Sequence, residues 1–564
     1  MTATGMATGM ATGTGMQTKF PMSHLASGFL LCCLSTGSFA QQSISGQDSG
    51  LGVPSASGLG SSLGRGATGD TASTEGRSWV IKPRVSLTET WTNNANINRS
   101  SNNSQNEWIT ELAPGIRIDA RTARLKAYLD YALSGQFYAR ESDNNRSQNS
   151  LNTFGTFEAV DNWLFLDFNG LIAQQTISAF GTQSTSNTTI NNNSTETATY
   201  RLSPYIRGQL AGLVEYSLRY SLSTTKSDSD AVSDIDFSQW NGQLRGSTPF
   251  RNLRWSIDGN QQNTSYSGGR ETDAALIRPM LTYSISPQFR VSLSGGWESN
   301  NYVSLDQETY KTHGYGFDWN PTERTKFSAF KEHRFFGDGH NVNFSHRFPM
   351  SNIQFSDVRD VSVLPNQFTT VGRGSVYDLF YQQCYQQLTP SFPSDSAQLA
   401  LAADACASYL LNQTGIPANA QVTSGFTTSQ ATIRRNQQLS FAVFGARNSI
   451  TFLANRSESQ GVLASQSSID AISQNTTVKQ QGFGINLSHQ LSAISTVNLL
   501  GSHQESTGSG TNTLKTTTTL YQLNVTTKLG TKTTGSLSAR RSEFDSGTNP
   551  YTENALVGTV SFIY

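Results

Sequence analysis

The chain has 564 residues, of which 14% are charged and 10% aromatic, and its Lys+Arg 40 are balanced by Asp+Glu 40. That balance gives no electrostatic reason to expect nucleic acid or an acidic surface as a partner, and neutrality with so many aromatics argues against a disordered chain. Beyond the extreme N-terminus no run reaches about 18 apolar residues, which excludes a helical membrane protein but not a membrane β-barrel, whose alternating faces average to a polar composition.

The first 16 residues repeat a short Met-Ala-Thr-Gly unit that has no face to bury. From Met16 the pattern is that of a secretory signal: Lys19 in a short basic region, an apolar stretch over 25–34, and the exit Ser38-Phe39-Ala40, which predicts cleavage after Ala40. Cys32 and Cys33 would leave with it, and the bulky residues before them argue against lipid attachment. Residues 1–40 therefore read as a low-complexity start and signal peptide. Residues 41–77 are Gly/Ser-rich without apolar period, a flexible periplasmic lead-in.

From Ser78 to Tyr564 the pattern becomes period-two alternation over long runs, as in membrane strands. Leu125, Ala127, Leu129, Tyr131, Leu133, Gly135 and Phe137 share one face, and Lys126, Asp130, Ser134 and Gln136 the other. Tyr216, Leu218, Tyr220 and Leu222 oppose Glu215, Ser217, Arg219 and Ser221 in the same way. Leu253, Trp255 and Ile257, and again Phe289, Val291 and Leu293, repeat the design beside Arg254, Asp258, Arg290 and Ser292. A soluble β-solenoid or sandwich also alternates, but the connections decide against it. Tight turns at 120–123, 160–162, 249–252, 320–323, 348–351, 445–448 and 529–532 alternate with long polar segments such as 93–106, 140–150, 182–194 and 457–475. Short periplasmic turns and long external loops are expected of an all-β, antiparallel outer-membrane barrel over 78–564, with about 22 strands (20–24). An even number places both chain ends on the short-turn side. The runs at 324–336 and 351–364 alternate poorly and make the count least certain there.

The chain ends on an alternating segment in which Leu556, Val560, Phe562 and Tyr564 form one apolar side. This resembles the C-terminal signal read by the barrel-assembly machinery, and these residues are expected to face lipid on the closing strand; an ordinary last strand of a soluble sheet is the alternative.

Between 367 and 427 the alternation stops and two helical patterns replace it. Phe380, Cys384 and Leu388 are spaced four apart, and after Pro393, with Ser394 as N-cap, Leu399, Ala403, Cys406 and Leu410 make a second stripe. A helical hairpin inserted in an external connection follows, to cap the mouth or enter the lumen. Its facing stripes bring Cys384 and Cys406 within reach of a disulfide in an oxidising compartment, worth about 3 kcal/mol by loop closure; two buried free thiols are the alternative.

Sites of chemistry are sparse. His24 lies in the signal, and His313, His333, His340, His346, His489 and His503 are scattered with no G-x-S-x-G, H-E-x-x-H or C-x-x-C-H motif near them. No catalytic residue, metal ligand or cofactor is expected, and an outer-membrane hydrolase is the least favoured reading. No plug-sized domain precedes the barrel, which argues against a TonB-dependent transporter. Trp79, Trp91, Trp163, Trp240, Trp297 and Trp319 fit interfacial girdles better than sugar platforms. Asp130, Arg219, Arg254 and Arg290 would line the lumen, as solute ligands or, more often, as partners of one another.

The segment from Ser375-Val-Tyr-Asp-Leu-Phe380 through Ala407, then 433–441 and 444–448, resembles the PEP-CTERM system-associated outer-membrane protein family, and the resemblance extends over 79–564. It implies an outer-membrane barrel linked with exosortase-type surface-protein sorting and exopolysaccharide secretion, with exopolysaccharide or its export proteins as partners beside outer-membrane lipid. It implies no catalytic residues. A porin-like conduit or scaffold is the leading expectation; a surface binding or adhesion barrel using its external loops is the second. For the cysteine pair, thiol titration of the unfolded, unreduced mature protein is expected to find no free thiol, and two free thiols refute the bond.

Overall fold

The computed structural model describes residues 78–98, 105–363, 426, 428, 430–462, 477–510, 514–547 and 549–564. The expected signal peptide with Ala40, the lead-in at 41–77, and the helical insertion at 367–427 with Cys384 and Cys406 lie outside the described residues, Phe426 apart.

Among the described residues, 22 antiparallel strands form one closed sheet. The first eight are β1 (Trp79–Thr92), β2 (Glu107–Arg121), β3 (Leu125–Tyr138), β4 (Arg146–Val160), β5 (Leu164–Thr176), β6 (Ser194–Leu210), β7 (Val214–Ser227) and β8 (Ile235–Ser247). There follow β9 (Leu253–Tyr266), β10 (Thr272–Ser284), β11 (Phe289–Asn300), β12 (Glu308–Thr322), β13 (Thr325–Arg334), β14 (Gly337–Arg347) and β15 (Ser351–Ser362). After the insertion come β16 (Thr432–Phe444), β17 (Asn448–Gly461), β18 (Thr477–Gln490), β19 (Ser495–Ser509), β20 (Lys515–Lys528), β21 (Thr533–Ser546) and β22 (Tyr551–Ile563). Each strand pairs with its neighbours in sequence, and β1 also pairs with β22 from Arg84↔Ile563 to Thr92↔Ala555, which closes the barrel.

Alternation sorts the side chains in the inverse of a soluble protein. Leu293 is 66% exposed and Leu537 63%, while Ser542, Glu553 and Gln136 on the inner face are almost wholly buried. Large exposed apolar side chains on most strands are stable only where hydrocarbon is the solvent, so this is an outer-membrane barrel. Trp79, Trp163 and Trp319 are exposed near the short-turn end. Trp108, Trp240 and Trp297 are exposed toward the other end, and half-buried Trp91 stands opposite Trp108 in the ladder. Two levels of indole are what interfacial girdles require.

The two ends differ as the sequence suggests. On one, the connections are short, the longest being 248–252, and Ala211 (φ 51°) with Gly212 (φ 68°) makes the primed-type turn that suits a tight hairpin. The other carries 93–106, 177–193, 363–431 and 462–476. Three expected loops begin or end elsewhere: β4 starts at Arg146, leaving 139–145; β5 ends at Thr176, so the connection expected at 182–194 is 177–193; and β17 continues to Gly461. Above the membrane the ladder goes on through Ser, Asn and Gln without apolar alternation, so pattern alone misses the tips of β4 and β17. On the same end β13 and β14 are joined only by Phe335 and Phe336, with Gly337 at φ 90°, an exception to the long-loop rule.

Replacing Leu293 by Arg, at the level of the bilayer on the lipid face, is expected to cost about 2–4 kcal/mol in urea titrations of the barrel folded into phosphatidylcholine vesicles. Ser292→Arg, directed to the lumen, should cost less than half as much; equal costs for both would contradict the facing assigned here.

Candidate functional site

The candidate site is the inner wall and the segment that crosses its external mouth. The wall is amide and hydroxyl in chemistry, and neighbouring strands satisfy one another at hydrogen-bonding distance. Gln136 Nε2 donates to Gln148 (3.1 Å), Ser203 to Ser221 (2.9 Å), Gln239 to Gln262 (3.4 Å), and Thr199 pairs with Thr225 (2.9 Å).

Many charges on this wall stand opposite countercharges. Arg84 meets Asp130 at 2.5 Å and Arg219 meets Asp167 at 2.7 Å. Arg278 lies between Asp258 (3.5 Å) and Glu332 (3.4 Å), and Arg290 faces Asp318 at 3.9 Å. Arg334 is held by Glu298 (2.6 Å) and by Asp360, and Arg540 by Glu553 (2.9 Å), which also accepts from Thr92 (3.0 Å). Of the four lumen charges picked from sequence, Asp130, Arg219 and Arg290 are thus partnered within the wall; Arg254 makes no ion pair among the described residues. Such compensation lets charge reside in a half-buried wall; Arg201, on the same inner face as Arg219, makes no ion pair among the described residues.

Aromatic rings on the wall are covered. Tyr128 stacks on Phe154 (5.2 Å) beneath the Arg117 guanidinium, and Phe165 stacks on Tyr205 (5.0 Å) beneath Arg207 and Arg219. The wall therefore offers guanidinium edges to a passing solute more than bare ring faces.

The connection 177–193 between β5 and β6 folds over the mouth as a lid. Its ends meet where Ile177 N donates to the Asn193 carbonyl (3.0 Å). Asn193 then ties the loop from within, accepting from Ser178 N (2.8 Å) and donating to the carbonyls of Ser178 (2.9 Å) and Thr182 (3.2 Å). Any Cβ on Gly181 would come within 2.4 Å of the Asn193 side chain, so only glycine fits there. The lid is fastened to strand tips around the rim. Tyr138 Oη donates to the Thr188 carbonyl (2.7 Å), Tyr551 Oη to that of Gln183 (2.5 Å), and Arg146 to those of Asn187 (2.8 Å) and Thr189 (3.0 Å). Thr516 reaches the Ala179 carbonyl at 3.3 Å. Ala179 itself packs with Val478 and Phe426 in a fully buried cluster. Val478 belongs to β18, nearly opposite β5 in the closed strand order, so the lid spans most of the opening.

A second inward segment, 301–307, brings Tyr302 against Phe237, Val361, Val363 and Ala431. Burial pushes the Tyr302 hydroxyl above its ordinary range, so it stays neutral and accepts from Gln262 Nε2 at 2.5 Å. Beside it Arg334, Glu298 and Asp360 line a cavity of about 40 Å³, room for ordered water. From sequence, both segments register only as polar connections; the apolar residues Ala179, Phe180 and Tyr302 inside them are the available sign that they fold inward.

Leu556, Val560, Phe562 and Tyr564 are exposed along the outer side of β22, with Lys532 Nζ 4.1 Å from the Tyr564 ring centre. His313 stacks with His333 (5.3 Å), His340 meets Asp357 (3.0 Å), and His346 contacts Thr325 (2.8 Å) and Phe348. His489 bonds Asn448 (2.6 Å) and His503 bonds Thr519 (2.9 Å). Among the described residues no histidine is joined to a serine hydroxyl, and no cluster of His, Cys, Asp and Glu has metal-ligating geometry.

No family model and no curated protein matches the chain. Solved structures with a similar barrel include the FrpB iron transporter (F5-1 variant) of Neisseria meningitidis, at 8% identity and TM-score 0.46, covering 86% of this chain and 82% of that one. A ferric enterobactin receptor (PfeA) mutant of Pseudomonas aeruginosa is similar at 8% identity and TM-score 0.43, covering 86% and 80%. The siderophore receptor PirA of Acinetobacter baumannii is similar at 7% identity and TM-score 0.40, also covering 86% and 80%.

Proposed function

We propose that this outer-membrane barrel is a lidded, porin-like conduit for neutral, hydroxyl-rich cargo, serving secretion of exopolysaccharide. The observation that carries the reading is the inner wall: hydroxyls and amides in ladders, with many of its arginines paired to carboxylates. Such a surface exchanges hydrogen bonds readily with a polyol, and its paired charges give a charged solute a weaker steering field than free ones would. The resemblance of 375–448 to the PEP-CTERM-associated family supports a polysaccharide cargo and a link with exosortase-type sorting.

The long external connections favour a second reading, a surface binding or adhesion barrel with the lid as a permanent seal. The lid separates the two. In planar bilayers, replacing residues 181–192 by a Gly/Ser linker is expected to raise single-channel conductance at least about threefold, with cation and anion permeabilities within a factor of about two. A barrel that stays silent with and without the lid favours the sealed scaffold. In the cell, deleting the gene is expected to reduce surface polysaccharide; unchanged polysaccharide and unchanged sorting of surface proteins would count against the assignment to secretion.

A further inference from the structure

The outer face of the barrel is not uniform. On β3, Leu125, Ala127, Leu129, Tyr131, Leu133 and Phe137 carry the lipid-facing side from turn to tip without a charge. From β13 to β16 the apolar side stops early. Above the periplasmic turns, Phe327, Phe344, Phe355 and Leu439 stand in register with one another or one strand apart, and Ala329 and Val342 follow. Then the face turns polar. A single register line runs Lys331↔His340↔Arg359↔Arg435↔Glu458↔Lys479 across six strands, and on the line below it Asp357 and Gln437 are followed by Arg456.

Heights follow from strand geometry. At a rise of about 3.3 Å per residue and a tilt near 40°, the first of these charges, Lys331 and Asp357, lie about 15 Å above the periplasmic turns, against an apolar band of about 25 Å in an ordinary barrel. The register line climbs with the tilt and leaves the hydrocarbon region toward Lys479. Part of the charge is satisfied in place. Asp357 accepts from Arg435 at 3.0 and 2.6 Å, from Gln437 at 2.9 Å and lies 3.0 Å from His340; Lys331 and His333 meet Asp338 at 2.7 and 3.0 Å. Arg359 donates to the Asp338 carbonyl and lies over the Phe336 ring. Arg456 and Lys479 are exposed and make no ion pair among the described residues. The face is left with more cations than anions, in a chain whose formal net charge is +0. Elsewhere the outward charges sit near the strand tips and are mainly acidic, for example Glu89, Glu196, Asp236 and Asp273.

We propose that the outer face of β13–β18 binds the phosphorylated headgroup of an outer-leaflet glycolipid, with Arg359, Arg435, Arg456 and Lys479 as the phosphate-facing cations. Guanidinium and ammonium groups at the interface recognise phosphate by charge-assisted hydrogen bonds, and a headgroup drawn down over the shortened belt covers the polar groups that acyl chains cannot solvate. A second copy of this chain fits less well, since a two-fold contact would place this positive face against itself.

The test uses the mature protein in phosphatidylcholine nanodiscs doped with diphosphoryl lipid A or with the same lipid stripped of its phosphates. Native mass spectrometry after detergent extraction reads the lipid retained. Wild-type protein is expected to retain the phosphorylated form at least about tenfold over the stripped form, and R456Q/K479Q to lose most of that preference, while K226Q on the opposite outer face keeps it. Heat-modifiable migration confirms that each variant is folded. Equal retention of the two lipids by wild type needs no variant and overturns the proposal, as does an undiminished preference in folded R456Q/K479Q. Displacement of no lipid but binding of added inorganic phosphate would show a free-anion site instead. A wild-type dimer that R456Q/K479Q converts to monomer, with no lipid preference in either, would assign the face to a second copy.

Discussion

Everything in this molecule depends on satisfying the backbone in a medium that offers no hydrogen bonds. An open sheet edge in hydrocarbon leaves a row of unpaired N–H and C=O groups, each costing several kcal/mol, so the sheet must return to its first strand. The seam between β1 and β22 does this from Arg84↔Ile563 to Thr92↔Ala555, and Tyr564 N then donates to the Pro83 carbonyl at 2.8 Å. On the inner side the seam is reinforced by Thr88 with Thr559 (3.0 Å) and by Thr92 and Arg540 converging on Glu553. On the outer side Trp91 lies against Leu556 in the ladder. The terminal apolar residues thus sit where closure is completed.

Closure fixes two solvents, and the two faces answer them differently. Outside, apolar side chains need no partner, and their spacing is all that matters. Inside, polar groups must find one another or water, and the strands supply partners laterally: carboxylates beside guanidinium groups, hydroxyl beside hydroxyl. The lid is built on the same rule. Its backbone carbonyls would be expensive to leave unpaired, and Tyr138, Arg146, Thr516 and Tyr551 on the rim supply the donors. Because those donors come from strands far apart in sequence, fastening the lid requires that the barrel has brought the rim together.

Legibility in the sequence follows from this division. Strand identity, the short-turn side, the closing strand and the outward set on β3 and β7 are local properties, carried by alternation and turn residues, and each is read without a structure. The poorly alternating runs at 324–336 and 351–364 prove to be β13 and β15, whose outer faces turn polar at Lys331 and Asp357; alternation fades there because the apolar belt itself ends. The pairing of Asp130 with Arg84, or of Arg219 with Asp167, depends on register between strands and on side-chain direction, which no single run encodes. The lid is harder still. Residues 182–194 look like any external loop, and only the converging rim donors, spread from Tyr138 to Tyr551, make it a cover.

The short apolar belt of β13–β15 also has a mechanical consequence for the bilayer. Mismatch between belt and hydrocarbon thickness costs a fraction of a kcal/mol per Å and is relieved by tilt or by local thinning. Since only one sector of the circumference is short, the strain is lopsided: the leaflets are pinched on that flank and relaxed on the other, and the whole cylinder leans until the two balance. Its orientation in the membrane is thereby set by a handful of side chains on three neighbouring strands, and a membrane of different thickness would change that angle before it disturbed the fold.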